Sequence, residues 1–313
     1  MRLFFSGWGH KNVEFDERVS TLGTRYRLLS CHGDYLRPAH HFSRALHTLQ
    51  QPFEIMYDSG AFTAWSKGKE ITLDELIAVY DEMIAKYESG AQAIWLISLD
   101  KIPGSPGRTA TPDEIDEACR ISDENFAVLQ KRYGKRVLPV FHQNESAQRL
   151  RDVAAMADYI CVSPRNDLPE RSRRRWAMEA HADIPGKNTH GLATTGFSMM
   201  SQVPWGSVDS ATWIWLAMNG AVFYSKTLRG LQLSSKSVTL KDTGKHYRTL
   251  STVEQQAFTE SVERRGFTIH ELEDNFYHRI IFNRVIMTET YTTLPTPAQI
   301  AHNVPVEQSL FGL

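Results

Sequence analysis

Cysteine is scarce in this chain, and the three present, Cys31, Cys119 and Cys161, lie far apart. An odd number with neither CxxC nor CxC spacing excludes a disulfide framework and a cysteine-based zinc site. Long hydrophobic runs are missing as well. No stretch of about 18 uninterrupted apolar residues occurs, so no transmembrane helix is expected. The opening MRLFFSGWGH holds too short an apolar segment for a secretory signal and reads as a first strand. Charge of one sign is lacking too: 35 Lys and Arg face 36 Asp and Glu, a net charge of −1. That excludes a polycationic binder, though not local basic patches. SGWGHKN (6–12) does not carry the GxGxxG of a dinucleotide-binding turn. GxSxG is absent, and Phe62 stands where an SxxK pattern starting at Ser59 needs Lys. Neither HxH nor HxxxH occurs, so no metal or other cofactor is expected. What remains is 313 residues, 42% hydrophobic and 23% charged, enough for a full core in a soluble cytoplasmic protein with no membrane partner.

Short apolar runs recur, each followed by turn residues and then by a helical pattern. They are RLFFSGW (2–8), YRLLSCHG (26–33), EIMYDSGAF (54–62), AIWLISLD (93–100), VLPVFHQ (137–143), DYICVSPR (158–165), NTHGLATTG (188–196) and SVDSATWIW (207–215). Near-continuous hydrophobicity within a run suits strands buried on both faces, as in parallel sheets. Four helix starts carry a capping-box pattern: Thr72 with Glu75, Thr111 with Glu114, Ser251 with Glu254, and Thr268 with Glu271. Helices are predicted over 252–265 and 269–288, and crossover helices over 144–156 and 168–181. Eight strands with crossovers point to a (β/α)₈ barrel rather than a doubly wound sheet. A single barrel domain with an elaborated C-terminal helical part is expected. The polar stretch 226–248 reads as a loop or hairpin excursion before the last helices.

In such a barrel the active site lies where strands run out into the βα loops. Asp58 closes EIMYD, Asp100 closes WLISLD, His142 and Gln143 close VLPVFHQ, and Asp209 sits in SVDSATW. A carboxylate on a buried strand is costly unless it is paired or used. Asp58 could instead cap the turn at Ser59-Gly60, and Asp100 the turn at Pro103-Gly104. Three such Asp residues in one barrel favour a functional role. Paired carboxylates support double displacement at a sugar carbon, one as nucleophile and the other moving a proton. His190 in NTHG could be a base or a satisfied core residue. Phe62, Trp65 and Trp213 flank the carboxylates in sequence and could stack on a base.

YDSGAF (57–62) resembles the DSGGF signature of tRNA-guanine transglycosylases, (β/α)₈-barrel enzymes that exchange guanine for a 7-deazaguanine. The order of strand ends is similar over about residues 50–215. By that resemblance Asp58 is the general acid/base, with Ser59, Gly60 and Phe62 beside it in the substrate-binding motif. Asp100 recognises the base with His142 and Gln143 close by, and Asp209 is the nucleophile. Departures narrow the likeness. The family's CxC-x-x-C zinc site has no counterpart, since no Cys follows Asp209, and CVSPRND (161–167) replaces its GGLAVGE stretch. Its PTR-type arginine loop after the nucleophile is missing. The chain is more similar to the zinc-free phage enzymes that place 7-deazaguanines into DNA. This implies a pentosyltransferase with DNA and a free 7-deazaguanine base as partners.

Two segments could neutralise phosphates. One holds Arg165, Arg171, Arg173, Arg174 and Arg175 against Asp167 and Glu170. The other, 226–248, holds Lys226, Arg229, Lys236, Lys241, Lys245 and Arg248 against Asp242. Either could equally be a solvated surface. Four alternatives to DNA base exchange stay open: an N-glycosidase, a tRNA enzyme, a non-catalytic nucleic-acid-binding barrel, and a metal-dependent hydrolase using His142, His190 and the Asp residues.

Overall fold

All eight apolar runs contain strands, and the strands lie in one parallel sheet. The computed structural model describes residues 1–7, 25–31, 52–143, 145–234 and 246–303. In chain order the strands are β1 (Arg2–Phe5), β2 (Tyr26–Ser30), β3 (Glu54–Asp58), β4 (Ala93–Ile97), β5 (Val137–Leu138), β6 (Val140–His142), β7 (Tyr159–Ser163), β8 (Asn188–Gly191) and β9 (Ser207–Ser210). Their spatial order is β5-β4-β3-β2-β1-β9-β8-β7-β6. The two ends of this order, β5 and β6, are halves of one stave separated by Pro139, which has no N–H for the ladder. Leu138 pairs with Ile97 of β4 on one side, and Val140 with Cys161 of β7 on the other. The nine strands therefore close as an eight-stave barrel, as the sequence predicts.

Period-two alternation sorts the side chains. Phe4, Leu28, Met56, Leu138, Tyr159 and Cys161 cluster together in the lumen. Their neighbours Leu3, Phe5, Leu29, Ile55 and Tyr57 belong to two other clusters shared with the surrounding helices. Asp58 has the parity of Met56, and Asp209 pairs in register with Phe4. Both carboxylates thus sit on the lumen face, at the C-terminal end of the barrel.

Among the described residues the helices between the strands are α1 (Ala61–Ser66), α2 (Leu73–Tyr87), α3 (Pro112–Tyr133), α4 (Ala147–Met156), α5 (Glu170–Asp183) and α6 (Phe197–Gln202). The capping boxes of α2 and α3 form in both directions, with Pro112 opening α3. The crossover helices start slightly later than the sequence suggests, at Ala147 and Glu170, and Asn144 lies outside the described residues.

After β9 come α7 (Thr212–Met218), the antiparallel hairpin of β10 (Ala221–Phe223) and β11 (Gly230–Gln232), and then α8 (Thr252–Glu263). The hairpin forms the first part of the expected excursion; Lys236, Lys241 and Lys245 lie outside the described residues. The expected helix 269–288 is two helices, α9 (Ile269–Asp274) and α10 (Phe276–Thr292). Asn275 breaks them: it is extended, and its side chain accepts the Tyr277 N–H to cap α10. The last helix, α11 (Pro297–Asn303), follows a reciprocal Thr296–Gln299 cap of the same kind. Buried Asn283 of α10 accepts from Phe223 N–H at 2.8 Å and donates to Trp213 carbonyl at 2.9 Å. Tyr291 donates to the Met1 carbonyl. Leu3 and Phe5 share one apolar cluster with Phe258, Leu272, Phe282 and Met287, so the C-terminal part packs against the barrel wall. Among the described residues no helix is long and apolar enough to cross a membrane.

Candidate active site

A cavity of about 850 Å³ opens at the C-terminal ends of the strands. Asp58, Asp100, His142, Gln143 and Asp209 all line it, together with Phe62, Trp65 and Arg165. Four strand ends that are far apart in sequence thus deliver acid, amide and imidazole groups to one mouth.

Asp58 ends β3 and leads into Ser59-Gly60, where Gly60 adopts φ 81° and starts α1. That left-handed conformation suits glycine and aims its N–H back at the Asp58 carboxylate. Burial raises the Asp58 pKa, and the nearby charges of Asp100 and Asp209 raise it further. Hydrogen bonds from Gly60 N–H and the Ser30 hydroxyl oppose the shift, and the result is about 7. Asp58 therefore caps the turn and lines the cavity with one side chain. A carboxyl that titrates near neutrality can give and take a proton in one cycle.

Asp100 does not cap the Pro103-Gly104 turn; it meets His142, with Nε2 2.8 Å from Oδ2. Burial disfavours charge on His142, but the hydrogen bond and charge of Asp100, aided by Glu145, outweigh it and raise its pKa. Gln143 accepts the Arg165 N–H through Oε1 at 2.9 Å, which fixes its amide plane over the cavity. Asp209 Oδ1 accepts the Ala193 N–H at 3.0 Å and lies 3.3 Å from His190 Nε2. Its other oxygen, Oδ2, takes no hydrogen bond from any described residue.

Several expected contacts fall elsewhere. Ser59 is fully buried, its hydroxyl accepting from Ala61 N–H, and neither it nor Gly60 lines the cavity. Their part is to shape the turn behind Asp58. Trp213 is also in the core, donating to the Ser6 carbonyl, so it cannot stack on a base. Phe62 and Trp65 do flank the mouth, with ring centroids 5.8 Å apart and Phe62 57% exposed. Trp65 is anchored by its Nε1–H to the Gly104 carbonyl at 3.0 Å.

The arginine segment is heterogeneous. Arg165 pairs with Asp167 at 2.5 Å, and Arg175 with Glu179 at 2.9 Å. Arg173 is half-buried, which lowers its pKa, and it donates to the carbonyl of Ala193 at the cavity wall. Arg171 is exposed and Arg174 half-buried, and neither makes a side-chain ion pair among the described residues. Lys226 and Arg229 are exposed on the β10–β11 turn and do not line the cavity. The hairpin that carries them shares an apolar cluster with the C-terminal helices.

Among the described residues, no group of three or more His, Cys, Asp or Glu is placed to hold a metal ion. His142 and His190 are each engaged with a different Asp.

No family model matches the chain, and no curated protein matches it. Among solved structures it is similar to a D-allulose 3-epimerase from Methylomonas sp. at 10% identity and TM-score 0.36, over 66% of this chain and 83% of that one. It is also similar to the carboxyl transferase domain of Rhizobium etli pyruvate carboxylase at 10% identity and TM-score 0.37, over 95% of this chain and 49% of that one. Likeness at this level says nothing of the reaction.

Proposed function

We propose that the chain is a base-exchange transglycosylase that replaces guanine in DNA with a 7-deazaguanine. The observation that carries this reading is the convergence of Asp58, Asp100 and Asp209 on one 850 Å³ cavity at the barrel mouth. Asp209 Oδ2 attacks C1′ of the nucleotide and forms an ester as the C1′–N9 bond breaks. The electron pair leaves with guanine, which takes a proton from Asp58. The incoming base then loses its N9 proton to the Asp58 carboxylate as N9 attacks C1′. The C1′–O bond breaks and returns its electron pair to Asp209, so two inversions give net retention. A proton donor with a pKa of about 7 suits both halves of this cycle.

Asp100 is the acceptor for the N–H groups of the purine-like ring. His142 orients it at 2.8 Å, and Gln143 presents its amide N–H₂ beside it. Phe62, 57% exposed at the rim, offers a stacking face for a nucleotide turned out of the helix. The reading of DNA over tRNA rests on the departures from the tRNA enzymes, above all the missing zinc motif after Asp209.

The test is incubation with DNA or tRNA carrying radiolabelled guanine, with and without added 7-deazaguanines. Release of label from DNA beyond one guanine per protein is expected only with the second base. Release from tRNA alone overturns the substrate assignment, and release to water without a second base makes the protein an N-glycosidase. No release from either substrate makes it a non-catalytic barrel.

A further inference from the structure

Behind Asp209 runs a buried polar chain through the barrel lumen. His190 on β8 pairs in register with Ser207 on β9 and with Cys161 on β7. Its ring is fully buried and packs edge-on against Phe4 at 5.7 Å. Nδ1 lies 2.6 Å from Ser207 Oγ, and Ser207 Oγ meets the Tyr159 hydroxyl. Nε2 has no hydrogen-bond partner of good geometry, yet it lies 3.3 Å from Asp209 Oδ1. A buried nitrogen left in this state in a dense core calls for an explanation.

The direction of donation follows from the ends. A carboxylate accepts only, so the ring proton belongs on Nε2, facing Asp209. Nδ1 must then accept from the Ser207 hydroxyl, which in turn accepts from Tyr159. Every contact then joins one donor to one acceptor, and no donor faces another donor. The chain thus sets the tautomer of His190 from inside the barrel, as the partner of one ring nitrogen decides the role of the other.

We infer that His190 is the positioning residue of the nucleophile, an inference that rests on the base-exchange reading with Asp209 attacking C1′. His190 Nε2–H and Ala193 N–H together hold Oδ1 from the lumen side and the loop side. That leaves Oδ2 for the attack, on a side chain that lines the cavity and is held by two donors on the barrel. Misplacing a reacting oxygen by about 1 Å costs roughly 100-fold in rate.

The experiment compares His190→Phe, His190→Gln, Ser207→Ala and Asp209→Asn on a guanine-containing DNA duplex. It follows the single-turnover rate of guanine release together with KM for DNA and for the free base. His190→Phe, which keeps the ring shape but donates nothing, is expected to slow release about 100-fold with both KM values within about twofold. His190→Gln can place an amide N–H near the Nε2 position and should recover part of the rate. Ser207→Ala should lose less than His190→Phe. A His190→Phe enzyme with wild-type release overturns the inference while Asp209→Asn stays inactive. An active Asp209→Asn instead overturns the base-exchange reading beneath it. Nitrogen-15 NMR of the histidine-labelled wild-type protein adds a readout independent of turnover and of whether any variant folds. It should show a proton on His190 Nε2 and a bare Nδ1, and a proton on Nδ1 with a bare Nε2 overturns the inference.

Discussion

Asp58 carries the sharpest consequence at the scale of a residue. Burial, Asp100 and Asp209 together raise its pKa from 3.8 to about 7. Guanine departure needs the protonated form, so single-turnover release should fall as pH rises through about 7. Entry of the second base needs the ionised form and should fall in the opposite direction. A release rate that is flat from pH 5 to pH 9 would count against Asp58 as the acid. Stability follows the same shift. The folded state holds the Asp58 proton where the unfolded chain has lost it, so this stabilisation is complete below about pH 3.8 and disappears as pH rises through 7. Asp58→Asn should therefore raise Tm at pH 8 and change it little at pH 4. The three carboxylates were legible in the sequence because Asp at the end of a buried strand has few structural reasons to be there. The role of His190 was not. A lone strand histidine gives no sign of its partner until register places it beside Ser207 and Asp209.

Among the elements, α5 is the best candidate for holding the sugar-phosphate backbone. Arg171 and Arg174 make no side-chain ion pair among the described residues, and Arg173 of the same helix reaches the cavity wall at Ala193. Charge reversal of Arg171 and Arg174 together should weaken DNA binding. It should also flatten the salt dependence by about one unit of slope per lost phosphate contact. Guanine release from saturating DNA should change much less, because the carboxylates are untouched. An unchanged salt slope would make α5 a solvated surface and shift attention to the lysines at 226–245. In the C-terminal part, Asn283 ties α10 to β10 and α7 through three backbone groups. Asn283→Leu keeps the branched shape but orphans a buried N–H and takes the side-chain donor from two buried carbonyls, for a loss of about 3 kcal/mol, visible as a lower midpoint in urea. The four capping boxes were readable because both partners lie three residues apart in sequence. The division of α9 from α10 was not, since Asn275 breaks the helix through its own backbone conformation and leaves the apolar pattern intact.

Apolar burial joins the parts of the whole molecule. One cluster runs from Leu3 and Phe5 of the barrel to Phe258, Leu272, Phe282 and Met287 of the C-terminal helices. Removing residues 246–313 would expose that wall, so the truncated chain should fail to give a single cooperative unfolding transition. A truncated barrel with wild-type Tm would show instead that the helices are an appendage. Closure of the barrel was legible from the count of apolar runs, although its seam was not. Pro139 splits one stave into two short ladders, which only pairing with both neighbours reveals as continuous. That closure is what brings strand ends separated by as many as 151 residues, Asp58 and Asp209, to one cavity. The most direct test of the account is to quench the wild-type protein with a guanine-containing duplex in the absence of a second base, and to map any covalent adduct by mass spectrometry. The account predicts a deoxyribose-linked DNA ester on Asp209, lost in Asp209→Asn. An adduct on any other residue, or exchange that proceeds in Asp209→Asn, would contradict it.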